Sequence, residues 1–133
     1  MKLLNSYSLN TDIATLVLRF IFGGLFTYHG YDAIAHYHTY LAMSTDIIGI
    51  GTKLSFNLVV FSQFFCGLFI AIGFLTRLSV IPIFIAMAVA FFVAHAKDPF
   101  MVKELAFIYL LVSIPVFILG SGKYSVDRLL FKK

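Results

Sequence analysis

The chain has 133 residues, of which 61% are hydrophobic and only 12% charged, and its mean hydropathy is +0.98; soluble domains are roughly half apolar and a quarter charged. That composition excludes a soluble enzyme and requires an integral membrane protein, whose four spans of about 20 residues use most of the length and leave no room for a separate soluble domain. The net charge of +4 does not signal nucleic acid, because no basic stripe with interleaved aromatics lies outside the apolar runs.

Four runs follow in chain order, at about 13–35, 58–75, 78–94 and 104–119. They are continuous and far longer than the ~10-residue alternating segments of a membrane barrel, so they predict an all-α fold. The expected architecture is a transmembrane four-helix bundle with a short C-terminal interfacial helix, forming a single integral membrane domain over 1–133. The first run starts after the polar stretch Asn5 to Asp12 and carries Arg19, His29 and Asp32. It therefore reads as a retained span and not as a cleaved signal peptide. Gly23, Gly24 and Gly30 mark its expected helix-packing face. The following segment, His36 to Asn57, holds Tyr40-Leu41-Ala42-Met43 and Ile47-Ile48-Gly49-Ile50-Gly51, too apolar for a solvated loop. It is expected to lie in the interface or to fold back as a lid.

The second run carries Gln63 early, then Gly67 and Ala71 at packing distance. Cys66, the only cysteine, reads as a small packing residue, and thiol–disulfide cycling within the chain has no second thiol. The third run holds Pro82 near its start, Ala86, Ala90 and Ala94 on one face, and His95 at its end. Glu104 opens the fourth, where Pro115 is expected to kink the helix. In the tail, Gly120-Ser121-Gly122 suits a helix stop, and Ser125 a cap for a last short helix bearing Asp127, Arg128, Leu129 and Leu130.

An even number of spans puts both termini on one side. That side carries Lys2, Arg77, Lys123, Arg128, Lys132 and Lys133, against Lys53, Lys97 and Lys103 on the other. The positive-inside rule therefore predicts a multi-pass protein of the inner, cytoplasmic membrane with both termini in the cytoplasm. His29, Asp32, Gln63, His95 and Glu104 then share the outer half, and Arg19 and the Arg77 turn the inner half. Ionisable groups at such depth cost about 2.5–3.5 kcal/mol each even on insertion scales, which is why they usually face a bundle interior and act there.

His29, Asp32 and His36 fall on one narrow helical stripe. A carboxylate so placed can fix an imidazole's tautomer, which suits a proton relay, a quinone site or metal ligation; the plainer alternative is a polar stripe that bonds a neighbouring helix. The pair His36 and His38 is a weak metal signal without a third ligand from His95, Asp98 or Glu104, and no metal is assigned. Haem between His29 and His95 is disfavoured, because His95 sits at a helix end and Asp32 would crowd the first ligand with charge. Arg19 is expected either to reach the interface or to pair with the tail from Tyr124 to Asp127.

Several of these residues, in this order and spacing, make the chain similar to the DoxX family of small four-span membrane proteins. They are Arg19 with Gly23-Gly24, Tyr28-His29-Gly30, the stretch from Gln63 to Arg77, Glu104, and the tail through Ser125 and Asp127. Two positions depart from the family pattern: Gln63 stands where a glutamate is common, which removes an ionisable group, and Gly120-Ser121-Gly122 replaces Gly-Pro-Gly. The resemblance implies a membrane subunit of a quinone-linked oxidoreductase concerned with sulfur, thiol or oxidative-stress chemistry. In that reading His29 and Asp32 serve a quinone headgroup or proton exchange, and Gln63, His95 and Glu104 complete the pocket. Arg19, Arg77 and Asp127 are structural. The lipid bilayer, a redox partner protein and a second copy of the chain are the partners it admits. The alternatives are a carrier or channel for a small solute or proton, disfavoured by the lack of inverted repeats, and a membrane anchor or assembly factor without a reaction of its own.

Overall fold

The computed structural model describes residues 4–7, 9–44 and 49–131. In chain order its helices are α1 (Thr11–Ala35), α2 (Tyr37–Met43), α3 (Thr52–Ile72), α4 (Thr76–Ala94), α5 (Phe100–Leu119) and α6 (Val126–Leu130). Among the described residues there is no strand, and α1, α3, α4 and α5 are long and apolar enough to cross a membrane. The protein is an all-α membrane bundle in contact with the lipid bilayer.

Helix ends follow local chemistry. Asn10 opens α1 by accepting the Ile13 N–H at 3.0 Å, and Ser125 opens α6 by accepting the Arg128 N–H at 3.2 Å, each satisfying a backbone donor that a helix N-terminus leaves unpaired. Around the bundle, α1 packs chiefly on α3 and α5 on α4, while contacts of α3 with α4 and of α1 with α5 close the ring. Small residues set the closest seam. A Cβ added at Gly23 would lie 2.5 Å from the Ala71 nitrogen and the Gly67 oxygen, and one at Gly30 would lie 2.5 Å from the Phe64 nitrogen. Backbones in contact gain the dispersion that drives association where lipid offers no hydrophobic force. Gly24 does not share this face; it is exposed, with nothing within 4 Å of an added Cβ. The core beside the seam holds Phe22, Phe26, Ile70, Ile83 and Tyr109, with the Phe26 and Tyr109 rings 4.6 Å apart.

Three expectations change. Helix α3 begins at Thr52, six residues before the apolar run, because Thr52, Lys53, Ser55 and Asn57 lower the hydropathy of its first turns without interrupting the helix. Likewise α5 begins at Phe100, so that Glu104 lies a turn inside it. The segment expected as a lid instead forms α2 beside the ends of α1 and α3. There the Tyr37 hydroxyl donates to the Asn57 side chain, and its ring packs on Phe56 at 5.2 Å. Ile47 and Ile48, the apolar centre of the supposed lid, lie outside the described residues.

Both α3 and α4 widen into a single π-helical turn, at Ser62–Cys66 and Ala90–Ala94. These lie in the half of the bundle away from α6, called here the far end; the half bearing α6 is the tail end.

Candidate functional site

A cavity of about 250 Å³ lies between the far-end halves of α1, α3, α4 and α5. Its polar lining consists of His29, Gln63, His95, Lys103 and Tyr109, set among apolar residues that include Phe26, Met87 and Ala106. The two π turns frame it, since Gln63 belongs to the first and His95 directly follows the second. A π turn adds one residue to a helical turn and so re-aims its side chains, which is why such turns recur at functional sites.

The polar groups are uncommitted. Among the described residues, the side-chain polar atoms of His29, Gln63, Lys103 and Tyr109 have no hydrogen-bond partner, although Tyr109 is only 9% exposed. The Tyr109 hydroxyl itself is accessible, since the buried side-chain polar atom left without a partner among the described residues is Ser55 Oγ, so the phenol is free to donate into the cavity. His29 lies edge-on to the Tyr109 ring at 6.3 Å, and the Lys103 ammonium sits 4.6 Å from the centre of the Phe91 ring. His95 is the exception, with Nδ1 at 2.7 Å from Asp98 Oδ2. A carboxylate in this contact accepts, so Nδ1 is the donor, and the bond sets the orientation of the ring.

The five residues singled out by depth divide accordingly. His29, Gln63 and His95 line one cavity, whereas Asp32 and Glu104 do not. Asp32 accepts the Tyr40 hydroxyl at 2.8 Å and lies 3.2 Å from His36 Nδ1, so it fastens α2 to the end of α1. This hydrogen bond, reinforced by the negative charge of Asp32, raises the Tyr40 phenol above its ordinary range. Glu104 is exposed on α5.

At the tail end the arginines join segments. Arg19, 2% exposed, donates from Nε to the Ile70 carbonyl at 3.0 Å and from its terminal nitrogens to the carbonyls of Ala71 at 3.3 Å, Tyr124 at 2.9 Å and Ser121. It thereby caps the end of α3 and holds the tail against α1. Asp127 accepts the Leu75 N–H at 2.9 Å and the Ser121 hydroxyl at 2.5 Å, which fixes the turn where Leu75 takes a φ of 48°. Arg77 reaches the carbonyls of Phe117 at 2.9 Å and Ile118 at 3.1 Å, two of the acceptors left unpaired at the end of α5.

Reading of the sequence did not connect Lys103 and Tyr109 with the site. Tyr109 is one aromatic within an apolar run, and Lys103 counted as a loop charge. The available signal was that each stands three residues from Ala106 along one helix, useful only once α5 is known to begin at Phe100.

Comparison with curated proteins and with solved structures gives no match. The model of the DoxX family matches residues 14–96, a stretch that runs from the first turns of α1 to the far end of α4 and includes Arg19, His29, Gln63, Arg77 and His95. With well over half of its length matched, the chain belongs to the DoxX family.

Proposed function

We propose that this protein is the membrane subunit of a quinone-linked oxidoreductase concerned with sulfur, thiol or oxidative-stress chemistry, and that the far-end cavity receives the quinone headgroup. The observation that carries this reading is the set of unpartnered groups, His29, Gln63 and Tyr109, on one cavity within the bundle. A quinone headgroup presents two carbonyl oxygens, which need donors, and a cavity of about 250 Å³ accommodates the ring while its tail stays in lipid. When bound, a quinone supplies two-electron, two-proton redox chemistry. The protein's share is to bind, orient and exchange protons. Tyr109 and the Gln63 amide donate to ring oxygens, and His29 fixes the ring plane. His95 takes or returns a proton at Nε2, with Asp98 stabilising the imidazolium. Asp32 stands one turn beyond His29, and with His36 and Tyr40 it forms the exchange point with water; Glu104 adds charge outside the cavity.

The electrons come from a redox partner protein docked on the same side, and self-association is compatible with the exposed faces of the bundle. We assign the protein to the inner membrane with both termini cytoplasmic, on the excess of Lys and Arg at the tail end, so that the far end is the outer one.

Binding of a short-chain quinone to the purified protein in detergent tests the proposal. Gln63→Ala should weaken binding by roughly tenfold, the scale of one lost hydrogen bond of about 1.4 kcal/mol, and His29→Ala should weaken it through loss of the contact that fixes the ring plane. Asp32→Ala should have a smaller effect. Unchanged affinity in both cavity variants, beside measurable wild-type binding, would sink the assignment.

A further inference from the structure

The far-end cavity carries a charge that a neutral headgroup does not use. Lys103 lines it, and the ion pairs among the described residues, His36–Asp32 and His95–Asp98, do not include it. Its ammonium is held over the face of Phe91 at 4.6 Å, a contact that fixes its place without neutralising it. Glu104 follows it directly in sequence, but adjacent residues of a helix do not face one another, and Glu104 is exposed outside the cavity. Lys103, Tyr109 and the Gln63 amide thus offer donors to the same space, and no carboxylate lines it.

An unneutralised cation beside a low-dielectric space favours an anion. The rest of the wall narrows the choice of anion. Phe26, Met87 and Ala106 give nothing to a hydrated inorganic oxyanion, but they gain free energy by burying an apolar body. The volume, about 250 Å³, equals about eight waters at ~30 Å³ each, enough for one ring or a short chain.

From this we infer that the far-end cavity selects a compact organic anion, a carboxylate or phenolate whose charged oxygen sits at Lys103 and whose apolar body packs against Phe26, Met87 and Ala106. The inference rests on the preceding reading of the cavity as the ligand site, though not on the ligand being a quinone.

Calorimetric titration of the full chain in detergent tests it, with benzoate, the neutral benzamide and sulfate as probes. Benzoate should bind at least about tenfold more tightly than either of the others, the scale expected of a charge-assisted contact. Lys103→Gln should erase the preference, Lys103→Arg should retain it, and Lys53→Gln, on the same side but outside the cavity, should leave it unchanged. Benzamide binding as tightly as benzoate, sulfate binding as tightly as benzoate, or an unaltered preference in Lys103→Gln would each overturn the inference. The short-chain quinone, titrated into the same preparations, separates the two readings. Quinone binding without benzoate binding overturns the organic anion and leaves the quinone standing; benzoate binding without quinone binding does the reverse.

Discussion

Arg19 shows how one side chain can be charged, buried in a membrane bundle and still stabilising. Its four carbonyl partners come from two distant segments, the end of α3 and the tail, and the planar guanidinium is the group whose donors fan out far enough to reach them. Arg19→Ala leaves those carbonyls without their donor and should destabilise the protein by on the order of 3 kcal/mol, read as a lower unfolding midpoint in detergent together with faster proteolysis between Ser121 and Arg128. Arg19→Lys should recover only part of this, because a single ammonium cannot reach both segments in the same geometry. Tyr40 offers a pH test at the other end. Its phenol is raised by the hydrogen bond to Asp32, so the bond contributes fully below the ordinary tyrosine range and is lost as pH rises through the higher folded value. In alkaline titrations of tyrosinate absorbance, the step removed by Tyr40→Phe should lie above the ordinary tyrosine range, and Asp32→Ala should move it to lower pH.

Among the helices, the seam between α1 and α3 is where packing tolerates least change. Gly23→Ala would bring a methyl group to 2.5 Å from backbone atoms of α3, and backbone cannot swing aside as a flexible side chain can. The helices must separate, at a cost of about 1–3 kcal/mol. Gly24→Ala, one residue away with nothing within 4 Å, should leave the unfolding midpoint within a degree or two of wild type; equal effects of the two substitutions would disprove this account of the seam. The contrast also marks what hydropathy can reveal. Four spans were legible because each is long and apolar, and the closing cap at Ser125 because its chemistry is local. Which glycine faces a neighbour was not, since both lie in one apolar run and only the rotation of α1 distinguishes them. The site was legible to the same extent. His29, Gln63 and His95 were recognisable as costly polar groups at a shared depth, but Asp32 belongs with α2 because Tyr40 reaches it, and two π turns that no composition announces decide which side chains enter the cavity.

For the whole molecule, the asymmetry of its two ends is the main feature: a cavity with polar side chains in its lining at one, arginine-held junctions between segments at the other. The orientation proposed above can be checked with a membrane-impermeant maleimide on intact cells, in a Cys66→Ala background. Lys97→Cys should label and Ser6→Cys should not; the reverse pattern would invert the assignment. The tail end also bears on biosynthesis. Ser121 is 102 residues beyond Arg19, so during translation α1 enters the bilayer long before two of the carbonyls that receive its guanidinium have been made. Until those two have been made, the guanidinium has only its partners at the end of α3, so docking of the tail, and not insertion of the last span, completes its coordination.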